Sequence, residues 1–181
     1  MNKTVNNISM LKEFGVFKGF KVLEYFLLNP MEKASIRGLA RKLKVSTLTS
    51  KNYCDLLERS GFLLSQRIGI AKLFWLRNDN SVAKRWKSAY MLQYLSEMGL
   101  EKAINNPFYI YGSIARGDYS GNSDIDIFVE CKKKELNLEK LEKKLRRKIE
   151  LHFNERFISY PKELKNNIIN GIVLSGFLEG Y

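Results

Sequence analysis

Apolar residues recur at helical spacing from the first third of the chain. Phe17, Phe20, Leu23, Leu27 and Leu28 mark a helix that Asn29-Pro30 ends. Ser35 stands as N-cap to a second helix, Ile36 to Leu43, with Ile36, Leu39, Ala40 and Leu43 as its apolar stripe. Val45-Ser46-Thr47 reads as a turn into a third helix, about Thr47 to Ser60, whose inward positions are Ser50, Cys54 and Leu57. Gly61 supplies its stop. Phe62 to Leu76 then reads as a two-stranded hairpin turning near Gly69.

Asp79-Asn80-Ser81 caps a longer helix from about Val82 to Leu100, where Trp86, Tyr90 and Tyr94 share one side. That stripe reads as packing between the halves or as a homodimer contact through the 82–100 helix. Beyond it the pattern changes. Phe108 to Tyr111 is a short β-prone run, and Ile114 to Arg116 can open a helix. Ser123 to Glu130 alternates as a strand, Glu135 to Lys148 reads as a helix on Leu138, Leu141 and Leu145, and Ile149 to Phe153 reads as a strand. Asn166 to Leu178 reads as a closing helix with Ile168, Ile172, Leu174 and Phe177 inward.

Composition narrows the class. The 181 residues allow one domain or two small ones, and 45% apolar with 28% charged residues describes a globular protein. No apolar run approaches the roughly 20 residues that span a bilayer, and the first residues do not read as a signal peptide. Cys54 and Cys131 lack CxxC spacing and a nearby histidine, so neither a disulfide nor a metal site is indicated, and Cys54 is expected to be a buried small hydrophobe. These features give a cytoplasmic protein with no membrane partner.

Charge divides the chain. Of a net +12, residues 1–78 carry 14 Lys and Arg against 5 Asp and Glu, leaving +9 there and +3 beyond. A basic amino-terminal half suits a polyanion, since neutralised phosphates release counterions, although a Lys-rich soluble surface has the same composition. Three helices followed by a hairpin over about residues 10–78 resemble the winged helix-turn-helix family of DNA-binding domains. The resemblance implies that the third helix enters the major groove with Thr47, Thr49, Lys51 and Asn52 outward, and that Arg67 and Lys72 on the wing reach phosphates. Winged helices also serve as protein-docking modules, and that alternative stays open here.

The chemistry is concentrated in Gly112-Ser113-Ile114-Ala115-Arg116-Gly117-Asp118 and Ser123-Asp124-Ile125-Asp126-Ile127. Gly112 lets backbone come close to a ligand, Ser113 adds a hydroxyl, and a helix start favours an anion. Asp124 and Asp126 alternate onto one strand face about 7 Å apart, where their repulsion is relieved by a hard divalent cation such as Mg²⁺. On the next strand Glu150 and His152, the only histidine, share a face. Arg116 suits either phosphate contact or pinning of the loop through Asp118.

Gly112-Ser113, Arg116-Gly117-Asp118, the Asp124/Asp126 pair and Glu150 together resemble the minimal nucleotidyltransferase domains of the DNA polymerase β superfamily, over about residues 105–181. The resemblance implies that Gly112, Ser113, Arg116 and Ser123 bind the nucleotide. It implies that Asp124, Asp126 and Glu150 are catalytic and hold two Mg²⁺ ions, with an NTP, ATP foremost, as substrate. Glu150 stands where the family usually has Asp. Such domains include antitoxins that modify a partner toxin with AMP, which implies a protein acceptor. The fold expected is α+β: a winged helix over 1–78, a linking or dimerisation helix over 79–104, and a small α/β nucleotidyltransferase fold with a mixed sheet over 105–181. Transfer of NMP from an NTP is the leading reading. A winged-helix transcriptional regulator whose second domain only senses nucleotide or is inactive is the alternative, and a docking module with an inert companion is the third.

Overall fold

In a computed structural model, which describes residues 14, 16–155 and 157–177, the chain separates into two units between Asn80 and Ser81. Residues 10–13, where the expected amino-terminal resemblance begins, lie outside the described residues.

The first unit is a winged helix in its element order: α1 (Lys18–Leu28), β1 (Ala34–Ser35), α2 (Ile36–Leu43), α3 (Thr47–Arg59), β2 (Leu63–Ile68) and β3 (Ala71–Leu76). The expected Ser35 cap forms, and Ser46, read as part of a turn, also caps its helix. Ser35 Oγ accepts from the Gly38 N–H at 3.1 Å, and Ser46 Oγ accepts from the Thr49 N–H at 2.9 Å. Gly69, at φ +60°, turns the hairpin between β2 and β3. Strand β1, which the sequence did not signal, pairs with β3 through Ala34 and Ser35. Two residues are too few for an alternation pattern. The buried side of α1 is Val22, Tyr25, Phe26 and Leu27. Phe17, expected inward, sits in extended backbone at the helix start and is 65% exposed.

Ser50 and Cys54 are both fully buried on α3. Burial pushes the Cys54 thiol up to about 12, which keeps it un-ionised and inert. Ser50 Oγ is the one buried side-chain polar atom without a hydrogen-bond partner among the described residues. An orphaned hydroxyl costs about 1 kcal/mol or more. Ser50→Ala is therefore expected to stabilise the protein by about 1 kcal/mol, read as a higher urea midpoint; a lower midpoint would contradict this account of the α3 core.

The second unit begins with α4 (Ser81–Glu97) and continues with α5 (Leu100–Ile104), β4 (Phe108–Tyr111), α6 (Gly112–Arg116), β5 (Ile125–Glu130), α7 (Glu139–Leu145), β6 (Ile149–Asn154), a 3₁₀ turn (Phe157–Ser159), α8 (Lys162–Ile169) and β7 (Ile172–Ser175). The helix expected as a link thus belongs to this unit. Its Ala83, Lys87, Ser88, Tyr90, Met91 and Leu95 are buried, which removes Tyr90 from an outward aromatic stripe.

The sheet is mixed, in the order β6-β5-β4-β7, with β5 and β6 parallel and the other pairs antiparallel. Ile110, Ile127 and Val129 are buried on one face. On the other, Tyr109, Tyr111 and Phe128 pack with Phe157 and Ile168, flanked by Tyr160 and Leu164.

Two expected boundaries change. Helix α7 starts at Glu139, not Glu135, and the Asn137 side chain takes the Glu139 N–H at 3.3 Å in a local turn that competes with earlier helix. It stops at Leu145 because Arg146 is left-handed at φ +53°. The single closing helix expected over 166–178 is instead α8 and then β7, which pairs with β4. The break falls at Asn170-Gly171, where a Cβ on Gly171 would lie 2.6 Å from the Ile110 carbonyl oxygen; Ile172-Val173 then suit a strand. Phe177 is 72% exposed rather than inward, and Leu178 lies outside the described residues.

Candidate active site

Strand register assembles the carboxylates. Tyr111, the last residue of β4, lies opposite Asp126 on β5, and Asp126 lies opposite Glu150 on β6. Residues directly opposite share a face, so these three form a row across the sheet, on strands about 4.8 Å apart. The same pairing puts His152 opposite Phe128, with its ring edge-on to Tyr111 at 5.9 Å between centroids. Asp124 falls in the loop just before β5 rather than within the strand.

The turn of Gly112 closes against this row. Gly112 has φ +68°, and a Cβ there would lie 2.1 Å from Asp126 Oδ2. The residue expected to let backbone approach a ligand is the one that makes room for the Asp126 carboxylate. Gly112→Ala meets the movable end of a side chain, so its stability cost is small beside its effect on Asp126. The left-handed backbone costs about 1–2 kcal/mol, while displacement of the carboxylate is expected to lower activity about a hundredfold. Activity and melting measured on one preparation test this; loss of both in proportion would contradict it.

Asp126 is half-buried, and its carboxyl is raised above the ordinary range by burial first, then by the like charges of Glu150 and Asp124, with His152 and Arg116 opposing. Burial first, then Asp126, Tyr160 and Glu150, hold the Tyr111 phenol above its usual value. A site whose charges disfavour one another in this way suits a cation.

Other expected residues are held in the loop. Arg116 Nε donates to Asp118 Oδ2 at 3.2 Å, the pinning arrangement, and its side chain is 56% exposed. The hydrogen bond from Lys84, followed by Arg116, holds the Asp118 carboxyl low. Ser123 Oγ accepts the Ser120 N–H at 2.8 Å. The Ser113 carbonyl accepts the Asp118 N–H at 2.9 Å.

The donors fit magnesium in one form and not in another. Among the described residues no group of three or more His, Cys, Asp or Glu side chains converges as a metal cage. Mg²⁺, however, is usually held by one or two carboxylates together with substrate phosphates and water. Asp126 and Glu150 in register, Asp124 two residues upstream, and the Gly112-Ser113 turn alongside form an oxygen donor set of that kind.

Residues 101–177 match the family model described as Polymerase beta, Nucleotidyltransferase. This part of the chain is a polymerase β-type nucleotidyltransferase domain. The match starts within α5 and runs through β7. No curated protein matches the chain. Among solved structures, the homodimeric winged helix-turn-helix DNA-binding domain (fragment 1–100) from Mycobacterium bovis, described as a possible ArsR-family transcriptional regulator, is similar at 15% identity. The similarity covers 56% of this chain and 95% of that one, with a TM-score of 0.34. The winged-helix description above rests on element order and strand pairing, not on this likeness.

In the winged-helix unit, Thr47, Lys51 and Lys72 come together with Ser35 and Arg37 around a cleft of about 480 Å³. Two of these cations already have acidic neighbours: Lys51 pairs with Asp55 at 2.9 Å and Lys72 with Glu58 at 2.6 Å. Thr49 Oγ1 lies 2.7 Å from the capping Ser46 hydroxyl, while Asn52 and Arg67 are exposed.

In the second unit, Lys87, Tyr119 and Arg147 were missed. Lys87 had a readable signal: a charged residue one turn beyond Ala83 and one turn before Met91, on the apolar side of α4. Burial lowers its ammonium to about 8. Tyr119 and Arg147 sit in loops, where no periodicity marks them.

Proposed function

We propose that the nucleotidyltransferase domain transfers a nucleoside monophosphate from an NTP, ATP foremost, to an acceptor hydroxyl with Mg²⁺, and that the winged-helix unit binds DNA. The observation that carries this reading is the Gly112 turn seated against Asp126, itself in register with Glu150. One small volume thus combines a phosphate-type turn with two carboxylates.

Asp124, Asp126 and Glu150 would share in holding two Mg²⁺ ions together with the substrate phosphates, and the ions when bound would neutralise charge developing on those phosphates. The Gly112-Ser113 backbone would bind the triphosphate. Glu150, exposed on the edge strand β6, is open to an incoming acceptor and can orient its hydroxyl and receive its proton. The acceptor oxygen then forms a bond to the α-phosphorus, and the bond from that phosphorus to the bridging oxygen of pyrophosphate breaks. Positioning and electrostatics supply most of the catalysis. A protein acceptor, a partner toxin among them, is the substrate class proposed.

A second reading, a regulator that binds nucleotide without turnover, is favoured by one observation: Glu150 is a methylene longer than the family's Asp. Incubation with each NTP labelled at the α-phosphate, Mg²⁺ and cell extract separates the two. Labelled acceptor, lost in Asp124→Asn, supports transfer. No labelled species, with a DNA footprint that survives Asp124→Asn and weakens in Lys51→Ala, supports the regulator.

A further inference from the structure

The loop over residues 117–124 delivers Asp124, and its hydrogen bonds run to the elements on both sides of it. Lys87 Nζ on α4 donates to the Tyr119 carbonyl at 2.8 Å, and the Tyr119 hydroxyl donates back to the Lys87 carbonyl at 3.1 Å. The Lys87 ammonium and the Arg147 guanidinium lie 4.6 and 5.1 Å from the centroid of the Tyr119 ring. Arg147 Nη1 then donates to the Ser123 carbonyl at 2.8 Å, the last peptide oxygen before Asp124. In sequence Arg147 stands three residues ahead of Glu150, and the next residue, Lys148, accepts the Ile125 N–H at 2.9 Å. One guanidinium therefore ties the backbone leading into Asp124 to the backbone leading into Glu150.

We propose that Arg147, seated on a Tyr119 fixed by Lys87, is a positioning residue that sets the spacing between Asp124 and Glu150. The inference rests on the nucleotidyl-transfer reading of those carboxylates. A guanidinium is planar, so it can lie against the Tyr119 ring and donate to the Ser123 carbonyl at once; an ammonium is a compact point charge and cannot do both in the same way. Loss of this brace leaves the carboxylates present and their spacing loose. A simple structural role would instead lower the folded fraction and leave metal dependence unchanged.

The test compares full-length wild type with Arg147→Lys in three measurements: melting, the Mg²⁺ and NTP dependence of transfer, and Mn²⁺ binding followed by electron paramagnetic resonance. A folded Arg147→Lys is expected to have a half-saturating Mg²⁺ concentration about tenfold higher and a kcat about tenfold lower, with KM for NTP near the wild-type value. Wild-type kcat and Mg²⁺ dependence in a folded Arg147→Lys would overturn the inference and leave the transfer reading standing. If wild type transfers nothing, the transfer reading fails, and Mn²⁺ affinity decides the brace: weaker binding in Arg147→Lys supports it and equal binding overturns it. Should Arg147→Lys not fold, Tyr119→Phe removes the hydroxyl bond to the Lys87 carbonyl and keeps the ring. In that variant a rise in half-saturating Mg²⁺ on the order of threefold is expected, and an unchanged value overturns the proposal.

Discussion

Asp126→Asn is expected to lower nucleotidyl transfer about a thousandfold while leaving the fold intact and, without Mg²⁺, more stable at neutral pH. The carboxylate sits between Gly112 and Glu150, and the amide replacing it has nearly the same shape but cannot hold a cation as an anion does. The stability effect follows from the raised Asp126 carboxyl, whose causes are burial and then its acidic neighbours. A raised value means that the folded state holds the proton more tightly than the unfolded state. The stabilisation from protonation is complete below the ordinary Asp range and is lost as pH rises through the folded-state value. Wild type without Mg²⁺ should therefore lose stability as pH rises across that window, and Asp126→Asn should lack this component. Melting curves from acid to neutral pH measure it, and identical pH profiles for the two proteins would contradict the electrostatics described.

Gly117→Ala is expected to have the largest effect on stability. Gly117 ends α6 at φ +72°, and a Cβ there would lie 2.0 Å from the Lys84 carbonyl oxygen and 2.6 Å from its carbon. Both are backbone atoms of α4, so no rotamer change can relieve the contact. Left-handed strain of about 1–2 kcal/mol adds to an overpacking cost of about 1–3 kcal/mol. The disturbed contact is also where α4 grips the loop, through the Ser88 hydroxyl on the Ala115 carbonyl at 2.9 Å and the Lys84–Asp118 ion pair at 2.8 Å. Amide exchange on the intact chain should show protection lost in β4, β5 and β6 and retained in β2 and β3. Unchanged protection in β4–β6 would show that α4 and the loop do not approach as described.

The sequence revealed elements whose side chains alternate or recur and concealed those set by single contacts. The Ser35 cap, the turn at Val45-Ser46-Thr47, the Gly69 turn and the Ile125–Ile127–Val129 face all follow local rules and appear in the structure. Glu150 was readable as sharing a face with His152 because β6 alternates; its place opposite Asp126 needed the parallel pairing of β5 and β6. Strand β7 was not readable, since Ile168, Ile172 and Leu174 fit a helical stripe until the close approach of Gly171 to the Ile110 carbonyl is known. Arg116 and Ser123 were legible as polar residues of a phosphate-type loop. Pinning through Asp118 was one of the two arrangements open to Arg116 and is the one found; the bond from the Ser120 N–H to Ser123 was not readable.

The most direct measurement is the fate of two labels in parallel reactions of the full chain with Mg²⁺, extract and ATP. With label at the α-phosphate, the acceptor should become labelled; with label at the γ-phosphate, it should not, and the label should leave as pyrophosphate. Asp126→Asn should give neither product. An acceptor labelled from the γ-position, or one labelled equally by Asp126→Asn, would contradict nucleotidyl transfer by this site.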